Sequence, residues 1–233
     1  MRSRFIALVL IMAGIAAFGS ETFAQKKGKE LKAAEERVDK ASAVVRDVMR
    51  INEKAIPRDL LAKAKAIVVF PGALKFGFIL GGQGGEGVVI RRLANGWSAP
   101  AFMNMAGGSI GAQIGGQKTD YVLLIMNEKG LKGLLEDKFE IGGEGSVSAG
   151  PVGRTAAAST NVTLDAEILS YSRSRGLFAG VALKGVVIKQ DESINQAIYQ
   201  KSAKEILGGT GMEWSSAPVS LQEFSKLVAT YAK

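Results

Sequence analysis

The apolar pattern first predicts an amphipathic helix near the start of the chain. Its apolar residues recur at alternating steps of three and four, which gives one stripe along a helix. The stripe consists of Leu31, Ala34, Val38, Ala41, Val45 and Val48. The opposite face carries charges of both signs, which is typical of a solvated surface with internal ion pairs. Pro57 fits the first turn of a short second helix, whose buried side would be Leu60, Leu61 and Ala64.

From residue 66 the pattern changes to short apolar runs bounded by glycine and other turn residues, which predicts β-strands. The run 66–70 is stopped by Pro71-Gly72, and glycine pairs separate most of the runs that follow. The predicted strands are 66–70, 76–80, 86–92, 109–114, 120–126, 139–149, 157–163, 166–172, 177–183 and 186–189. Most connections are too short for crossover helices, so the pairing should be mostly antiparallel.

Two more helices are predicted, one between strands and one at the end of the chain. Asn127 can cap a short helix. Ser220 and Glu223 have the spacing of a capping box ahead of a C-terminal helix with an apolar face. The predicted fold class is therefore α+β: a curved, largely antiparallel, glycine-rich sheet with N- and C-terminal helices packed on it. The sheet could close into a barrel, but the sequence does not decide this. Without a composition break after residue 32, residues 33–233 form one domain.

The residues before this domain have the pattern of an export signal. Arg2 and Arg4 precede an uncharged apolar run at 5–18, and Thr22-Phe23-Ala24 offers small residues at the cleavage positions. The alternative is an uncleaved anchor, but the run is shorter than the about 20 residues of a spanning helix. We therefore predict that residues 1–24 are a cleaved signal peptide, that 25–32 are a flexible basic leader, and that the protein is periplasmic or secreted.

Charge and composition narrow the partners. Removal of residues 1–24 takes Arg2, Arg4 and Glu21 from the 30 basic and 22 acidic residues of the chain, which leaves 28 and 21 and a net charge of +7. A basic balance favours anionic partners such as phospholipid headgroups. Nucleic acid is not favoured, because the basic residues are spread along the chain without a recognition motif. The chain has no cysteine, so it forms no disulfide and carries no acylated cysteine.

The same composition argues against catalysis. Gly107-x-Ser109-x-Gly111 matches a nucleophile elbow, but the chain has no histidine to act as base, and only a Ser–Lys pair would remain. Gly82-x-Gly84-x-x-Gly87 matches a dinucleotide fingerprint, yet a strand and not a helix follows it. Without histidine or cysteine the usual zinc and copper sites are excluded. We predict a protein that is not an enzyme and has no metal and no cofactor.

Five strings remain that a core with turns does not account for. They are Phe70-Pro71-Gly72, 96–102 (GWSAPAF), 115–120 (GGQKTD), 150–154 (GPVGR) and 168–180 (ILSYSRSRGLFAG). Together and in this order they resemble the SYLF domain, the lipid-binding module of yeast actin-patch proteins that also occurs in exported bacterial proteins. The resemblance runs from about Ala41 to Tyr199. It implies that the domain binds lipid. In eukaryotic members the lipid is a phosphoinositide, bound partly through an N-terminal amphipathic segment, and some members also bind actin.

The predicted function is thus non-enzymatic binding to lipid or a membrane surface of the bacterial cell envelope. A scaffold protein that recognises another protein, without a lipid ligand, is the alternative. The candidate lipid-binding residues are Lys26, Lys27, Lys29, Lys32, Lys75, Phe76, Phe78, Arg91, Arg92 and Trp97. Core packing is the other interpretation of the three aromatic residues among them. The polar residues within the family-like strings are Asp120, Arg154, Arg173 and Arg175, for which a structural ion pair or turn is the other interpretation.

Overall fold

A computed structural model describes residues 2–50, 55–111, 116–143, 146–153 and 166–232, with side chains described for all of these except 2–24, 77–80 and 109–111. Helix α1 spans Arg2–Arg50 and α2 spans Arg58–Lys63. The strands that follow are β1 (Ala66–Leu93), β2 (Gly96–Trp97), β3 (Ala101–Gly111) and β4 (Gln117–Ile125). Next come α3 (Glu128–Leu134), β5 (Phe139–Ile141), β6 (Val147–Ala149), β7 (Ile168–Ser174), β8 (Leu177–Gly180) and β9 (Val186–Gln190). Helices α4 (Glu192–Tyr199), α5 (Ala203–Leu207) and α6 (Glu223–Tyr231) end the described chain.

The described strands form one curved, nearly closed sheet in the order β5-β9-β3-β1-β4-β7-β6, with β2 added to β1 and β8 added to β7. Every strand pair in it is antiparallel except β6 with β7. The predicted α+β class and the antiparallel pairing are therefore confirmed. Helix α1 packs its predicted stripe, including Val38 and Val48, into the core, and α6 buries Phe224 and Val228.

The long strand β1 causes most of the curvature. Its first half pairs with β4 and its second half pairs with β3. The two halves face each other so closely that a Cβ on Gly85 would lie 2.8 Å from the Cβ of Ala73. A Cβ on Gly87 would overlap the ring of Phe70. Glycine is required here because the sheet turns back on itself within one strand.

Several predicted elements differ from the structure. The basic leader 25–32, predicted to be flexible, continues α1 as helix, because its lysines, glutamates and alanine-rich sequel are good helix formers. The strands predicted at 66–70, 76–80 and 86–92 are parts of one strand, and the strand predicted at 109–114 begins at Ala101. The run 139–149 is two short strands around a turn. The strand predicted at 157–163 lies outside the described residues.

The caps give one confirmation and one error. Asn127 caps α3, as predicted, through a hydrogen bond from the backbone N–H of Gly130 to its side chain. The capping box predicted at Ser220 is wrong, because Ser220 lies inside the 3-10 turn Val219–Leu221 and α6 begins after Gln222 without a side-chain cap. A capping box occurs instead at Ser202 and Glu205, at the start of α5. Among the described residues, none of the helices combines the length and the apolar character needed to cross a bilayer.

Candidate functional site

The candidate residues on β1 divide between its two ends, and at the C-terminal end they are folded into the protein. Arg92 donates from Nε to the carbonyl of Ala64 (3.1 Å) and from Nη2 to that of Leu61 (3.0 Å), at the end of α2. Its guanidinium stacks on the ring of Trp97, 4.3 Å from the centroid. Trp97 is 3% exposed, so core packing is its role. Partial burial lowers the pKa of Arg92, and the helix-end carbonyls compensate its charge.

Arg91 is used in the same way at a second helix end. Its Nη1 donates to the carbonyls of Leu207 (2.7 Å) and Gly209 (3.0 Å), just after α5. The last carbonyls of a helix lack partners within the helix, and a guanidinium satisfies them well. Arg91 and Arg92 therefore hold α5 and α2 against the sheet, which differs from the sequence expectation that they project from a strand end toward a ligand.

The other group of candidate residues, in the first half of β1, is open to solvent. Leu74 is 50% exposed and Phe76 is 61% exposed, although both are large and apolar. Between them Lys75 is half-buried, and its Nζ lies 5.5 Å from the ring centroid of Tyr121. Phe76 rests against Gly82, where a Cβ would lie 2.8 Å from the ring. This end keeps the cation and the aromatic ring that the sequence suggested and presents them at the surface.

Strand register brings further residues to the same place. Leu74 lies opposite Lys118 at the start of β4, and the neighbouring Gln117 hydrogen-bonds Ser174 at the end of β7. Ser174 in turn pairs with Leu177, the first residue of β8, which is 73% exposed. Strands lie about 4.8 Å apart, so Leu74 and Leu177 are separated by three spacings, roughly 14 Å. We call the resulting surface the rim; it consists of Leu74, Lys75, Phe76, Lys118, Arg175 and Leu177.

The turn between β7 and β8 gives the rim its outermost cation. Arg175 and Gly176 have φ of +50° and +78°, as in the two-residue hairpin turn that matches strand twist. Arg175 is exposed at the tip of this turn. No acidic residue occurs in the three segments 74–76, 116–118 and 174–177, so the rim carries Lys75, Lys118 and Arg175 without a carboxylate of its own.

A partly buried chain of polar side chains lies behind the rim and determines its shape. The β1 ladder shifts register between Phe70 and Ala73, where Gly72 has φ of +61°. Asp120 accepts a hydrogen bond from the backbone N–H of Gly72 (2.7 Å) with Oδ1 and one from Nε of Arg173 (2.8 Å) with Oδ2. Arg173 also donates from Nη1 to Asp47 of α1 (2.5 Å). The bulge, β4, β7 and α1 are thus joined next to the rim.

The charge on Arg173 is stabilised by this arrangement. Partial burial lowers its pKa, but the hydrogen bonds and charges of Asp47 and Asp120 outweigh burial and raise the pKa overall. Asp120 and Arg173 therefore have the structural role that was the alternative interpretation of these family-like residues. They position the rim, and their charges are paired with each other and with Asp47.

The lysines of the leader lie near the middle of α1, away from the rim. Lys26, Lys27, Lys29 and Lys32 are all exposed. Glu30 accepts a hydrogen bond from Ser193 Oγ (2.8 Å), which fixes this part of α1 beside α4. A cleft of about 570 Å³ lies between the two helices and is lined by Lys26, Lys27, Ser193, Gln196, Ala197 and Gln200.

Two candidate side chains fall outside the described part: that of Phe78, and the whole of Arg154. The side chain of Ser109 in the elbow-like string is also outside it. Within the described residues no group of three or more acidic side chains could hold a metal ion. The rim offers cations and apolar side chains, which suit a charged, partly apolar surface and supply no nucleophile with its base.

Sequence reasoning missed Leu74, Lys118 and Leu177. Lys118 and Leu177 lie inside two of the strings that resemble the family, but Leu74 lies in none. Only the cross-strand register places the three together, and a single sequence does not carry that information.

Comparison with known proteins identifies relatives that match most of this chain. The profile of a family described as "Ysc84: Las17-binding protein actin regulator" matches residues 106–232. LAS seventeen-binding protein 3 of Saccharomyces cerevisiae is 38% identical over 163 residues, which cover 67% of this chain and 35% of that protein. Protein YSC84 of the same yeast is 35% identical over 181 residues, covering 73% of this chain and 38% of the relative.

Vertebrate proteins match as well. SH3 domain-containing YSC84-like protein 1 of Homo sapiens is 32% identical over 167 residues, covering 69% of this chain and 48% of the human protein. The chain thus spans between about a third and a half of the length of these relatives, and their names refer to binding and to SH3 domains.

Proposed function

The chain belongs to the Ysc84 family, the SYLF domain family, and from this premise we propose that it binds anionic membrane surfaces of the cell envelope through the rim, without catalysis. The resemblance found in the sequence is confirmed by the family match and by the relatives. Family members are named for binding and regulation and not for a reaction. The names of the relatives therefore support a binding role for this chain. That the ligand is lipid, that the rim binds it and that the protein is in the cell envelope are our proposals.

The observation that carries the proposal is the composition of the rim. Monomeric proteins rarely leave large apolar residues exposed beside one another, and such patches mark interaction surfaces. Here Leu74, Phe76 and Leu177 are each at least half exposed and are interleaved with cations. Apolar side chains can enter the interface of a bilayer while lysine and arginine reach its phosphates, so an anionic membrane fits both components.

The expected affinity follows from the charges. A basic residue near an anionic membrane contributes about 1 kcal/mol, so Lys75, Lys118 and Arg175 together give about 3 kcal/mol. Loss of two of them, by Lys75→Gln with Lys118→Gln, should weaken binding roughly 30-fold. Because the reach of the charges falls from about 10 Å at 0.1 M salt to about 3 Å at 1 M, binding should also weaken steeply with salt.

Co-sedimentation with vesicles tests this directly. Equimolar phosphatidylglycerol and phosphatidylcholine vesicles should bind the protein, and pure phosphatidylcholine vesicles should bind little. The matched control is Lys132→Gln with Lys138→Gln, two exposed lysines near α3, beyond the opposite end of β4 from the rim. Equal loss in the rim variant and in this control would remove the rim from the proposal. If the protein binds neutral vesicles equally well and salt has no effect, apolar contact and not surface charge drives the binding.

A protein partner is the second candidate, and the family description favours it, since it names Las17 binding. The rim would then contact an acidic protein surface. Absence of binding to anionic vesicles, together with a rim variant that loses a partner recovered from envelope extracts, would favour this candidate over the lipid.

The envelope location is proposed from the export signal of the sequence. We expect the protein recovered from the cell envelope to begin at Gln25 or within a few residues of it, because signal peptidase cleaves after small residues such as Ala24. N-terminal sequencing measures this. An intact Met1 in the periplasmic fraction would contradict it.

A further inference from the structure

The rim and the basic leader lie at opposite ends of the part of α1 that runs from residue 25 to residue 50. The leader side is fixed where Glu30 meets Ser193, and the rim side is fixed where Asp47 meets Arg173, the residue next to Ser174. A helix rises 1.5 Å per residue, so Glu30 and Asp47 are about 26 Å apart along the axis. Lys26, Lys27 and Lys29 lie beyond Glu30, farther still from the rim. The two sets of cations are thus separate surfaces.

Helicity of the leader makes this separation a fixed one. A flexible leader could fold back and join the rim on one membrane, but residues 25–32 are part of a continuous helix held against α4. The lysines therefore have a fixed position at the cleft between α1 and α4, which two of them line together with Gln196 and Gln200. Of the carboxylates near this cleft, Glu30 is bound to Ser193 and Glu192 stands exposed at the start of α4.

The surface of α1 between the two ends disfavours a membrane. Its outward side carries the acidic residues Glu35, Glu36 and Asp39. The nearby Lys40 is bound to Glu36 (3.5 Å), and Arg46 is bound to Glu223 (2.6 Å). Arg37 of the same stretch is buried in an ion pair with Asp191, so on the outward side the three carboxylates outnumber the two cations Lys40 and Arg46. Laying this side of α1 flat on an anionic bilayer would bring like charges together. Contact of both cationic ends with one flat membrane is opposed by the middle of the helix.

We propose that the chain has two separate sites for anionic bilayers, the rim and the leader end of α1, and that it bridges two membrane surfaces. The proposal rests on the proposed function, since the rim is one of its two sites. Each site uses the same chemistry, cationic side chains on lipid phosphates. Two separate sites can each hold a different surface, and once one copy joins two surfaces, the bridges formed by further copies between them become effectively intramolecular.

Clustering of vesicles separates bridging from simple binding. Protein purified after expression of the full chain is mixed with two vesicle populations of equimolar phosphatidylglycerol and phosphatidylcholine, one carrying a donor fluorophore and the other an acceptor. Energy transfer between the populations should rise with protein and fall again when protein is in excess, because every vesicle is then covered through one site. Co-sedimentation of the same samples reports binding alone.

Variants assign the two sites. Lys26→Gln, Lys27→Gln and Lys29→Gln together should keep binding through the rim and reduce clustering at least tenfold. Lys75→Gln with Lys118→Gln should reduce clustering similarly while leaving the weaker binding of the leader. Lys132→Gln with Lys138→Gln should leave both binding and clustering unchanged. If the protein formed dimers, two rims could bridge vesicles without any leader lysine. Clustering by the leader variant that is as strong as that of the unaltered protein would therefore overturn the proposal.

The failure of each proposal has its own signature. No binding to anionic vesicles overturns the proposed function and this inference with it. Binding without energy transfer at any ratio of protein to vesicle overturns the bridging alone and leaves a single membrane site.

Discussion

The two ends of β1 contain the same kinds of residue and put them to opposite uses. In the first half of the strand Lys75 and Phe76 lie at the surface, whereas Arg92 near its end and Trp97 on β2 are packed into the structure. The difference comes from what surrounds each end. The C-terminal end meets the unpaired carbonyls of α2 and α5, which bind the two guanidiniums. Within the described residues, the rim cations Lys75, Lys118 and Arg175 form no hydrogen bond to a helix-end carbonyl, so they remain available.

The aromatic members of the two ends should differ most. Trp97→Ala removes a buried ring and should lower the free energy of unfolding by about 3–5 kcal/mol, whereas Phe76→Ala should lower it by less than about 1 kcal/mol because the ring is 61% exposed. Urea denaturation of both variants measures the difference. Vesicle binding should show the reverse order among the folded variants. Similar losses of stability would contradict the distinction between the ends.

The cations should show the same contrast at a smaller size. Arg92→Ala removes two hydrogen bonds to carbonyls and the contact with Trp97, which we expect to cost about 3 kcal/mol of unfolding free energy. Lys75→Ala should cost less than about 1 kcal/mol. Arg92→Lys is the control, since it keeps the charge but cannot hold both carbonyls, and it should lie between the two. The measurement is again urea denaturation, and a larger loss for Lys75→Ala would reverse our assignment of the ends.

Arg173 tests whether the rim depends on the partly buried ion pairs behind it. Arg173→Ala leaves Asp47 and Asp120 without their common partner and should cost about 2 kcal/mol of stability. Vesicle binding should fall as well, even under conditions where the protein is folded, since Asp120, which anchors the bulge at Gly72, loses the partner that holds it in place. Arg175→Ala is the matched control, because it removes an exposed cation of the rim; it should weaken binding with stability unchanged. A stable Arg173→Ala protein with full vesicle binding would show that the support is dispensable.

The smallest expected effect lies at the start of α5, the helix whose end Arg91 binds. The hydrogen bonds from the backbone N–H and the side chain of Ser202 lower the pKa of Glu205. Its contribution to stability is therefore present above its unfolded pKa and is lost as the pH falls through the folded value. Ser202→Ala removes one of these bonds and should raise the pKa of Glu205, which NMR titration of the carboxylate measures. Ser220→Ala should leave this titration unchanged, because Ser220 forms no cap in the structure.

How much the sequence could predict depended on the range of the interactions involved. The stripe of α1, the cap at Asn127 and the antiparallel pairing were predictable, because each depends on residues close together in the chain or on loop length. The leader was mistaken for a flexible segment, since its contact with Ser193 of α4 is 163 residues away. The capping box was placed at Ser220 by spacing alone, and the 3-10 turn there excluded it.

For the site, the sequence by itself determined the ingredients: a basic chain without histidine or cysteine, a family signature, and cationic and aromatic residues close together at 75–78 and at 91–97. Tertiary structure decided which pairs are exposed. Arg91 and Arg92 are occupied because α5 and α2 end against them, and Leu74, Lys118 and Leu177 meet because β1, β4, β7 and β8 pair in this register. Exposure depends on packing and register between distant segments, and local sequence encodes neither of these.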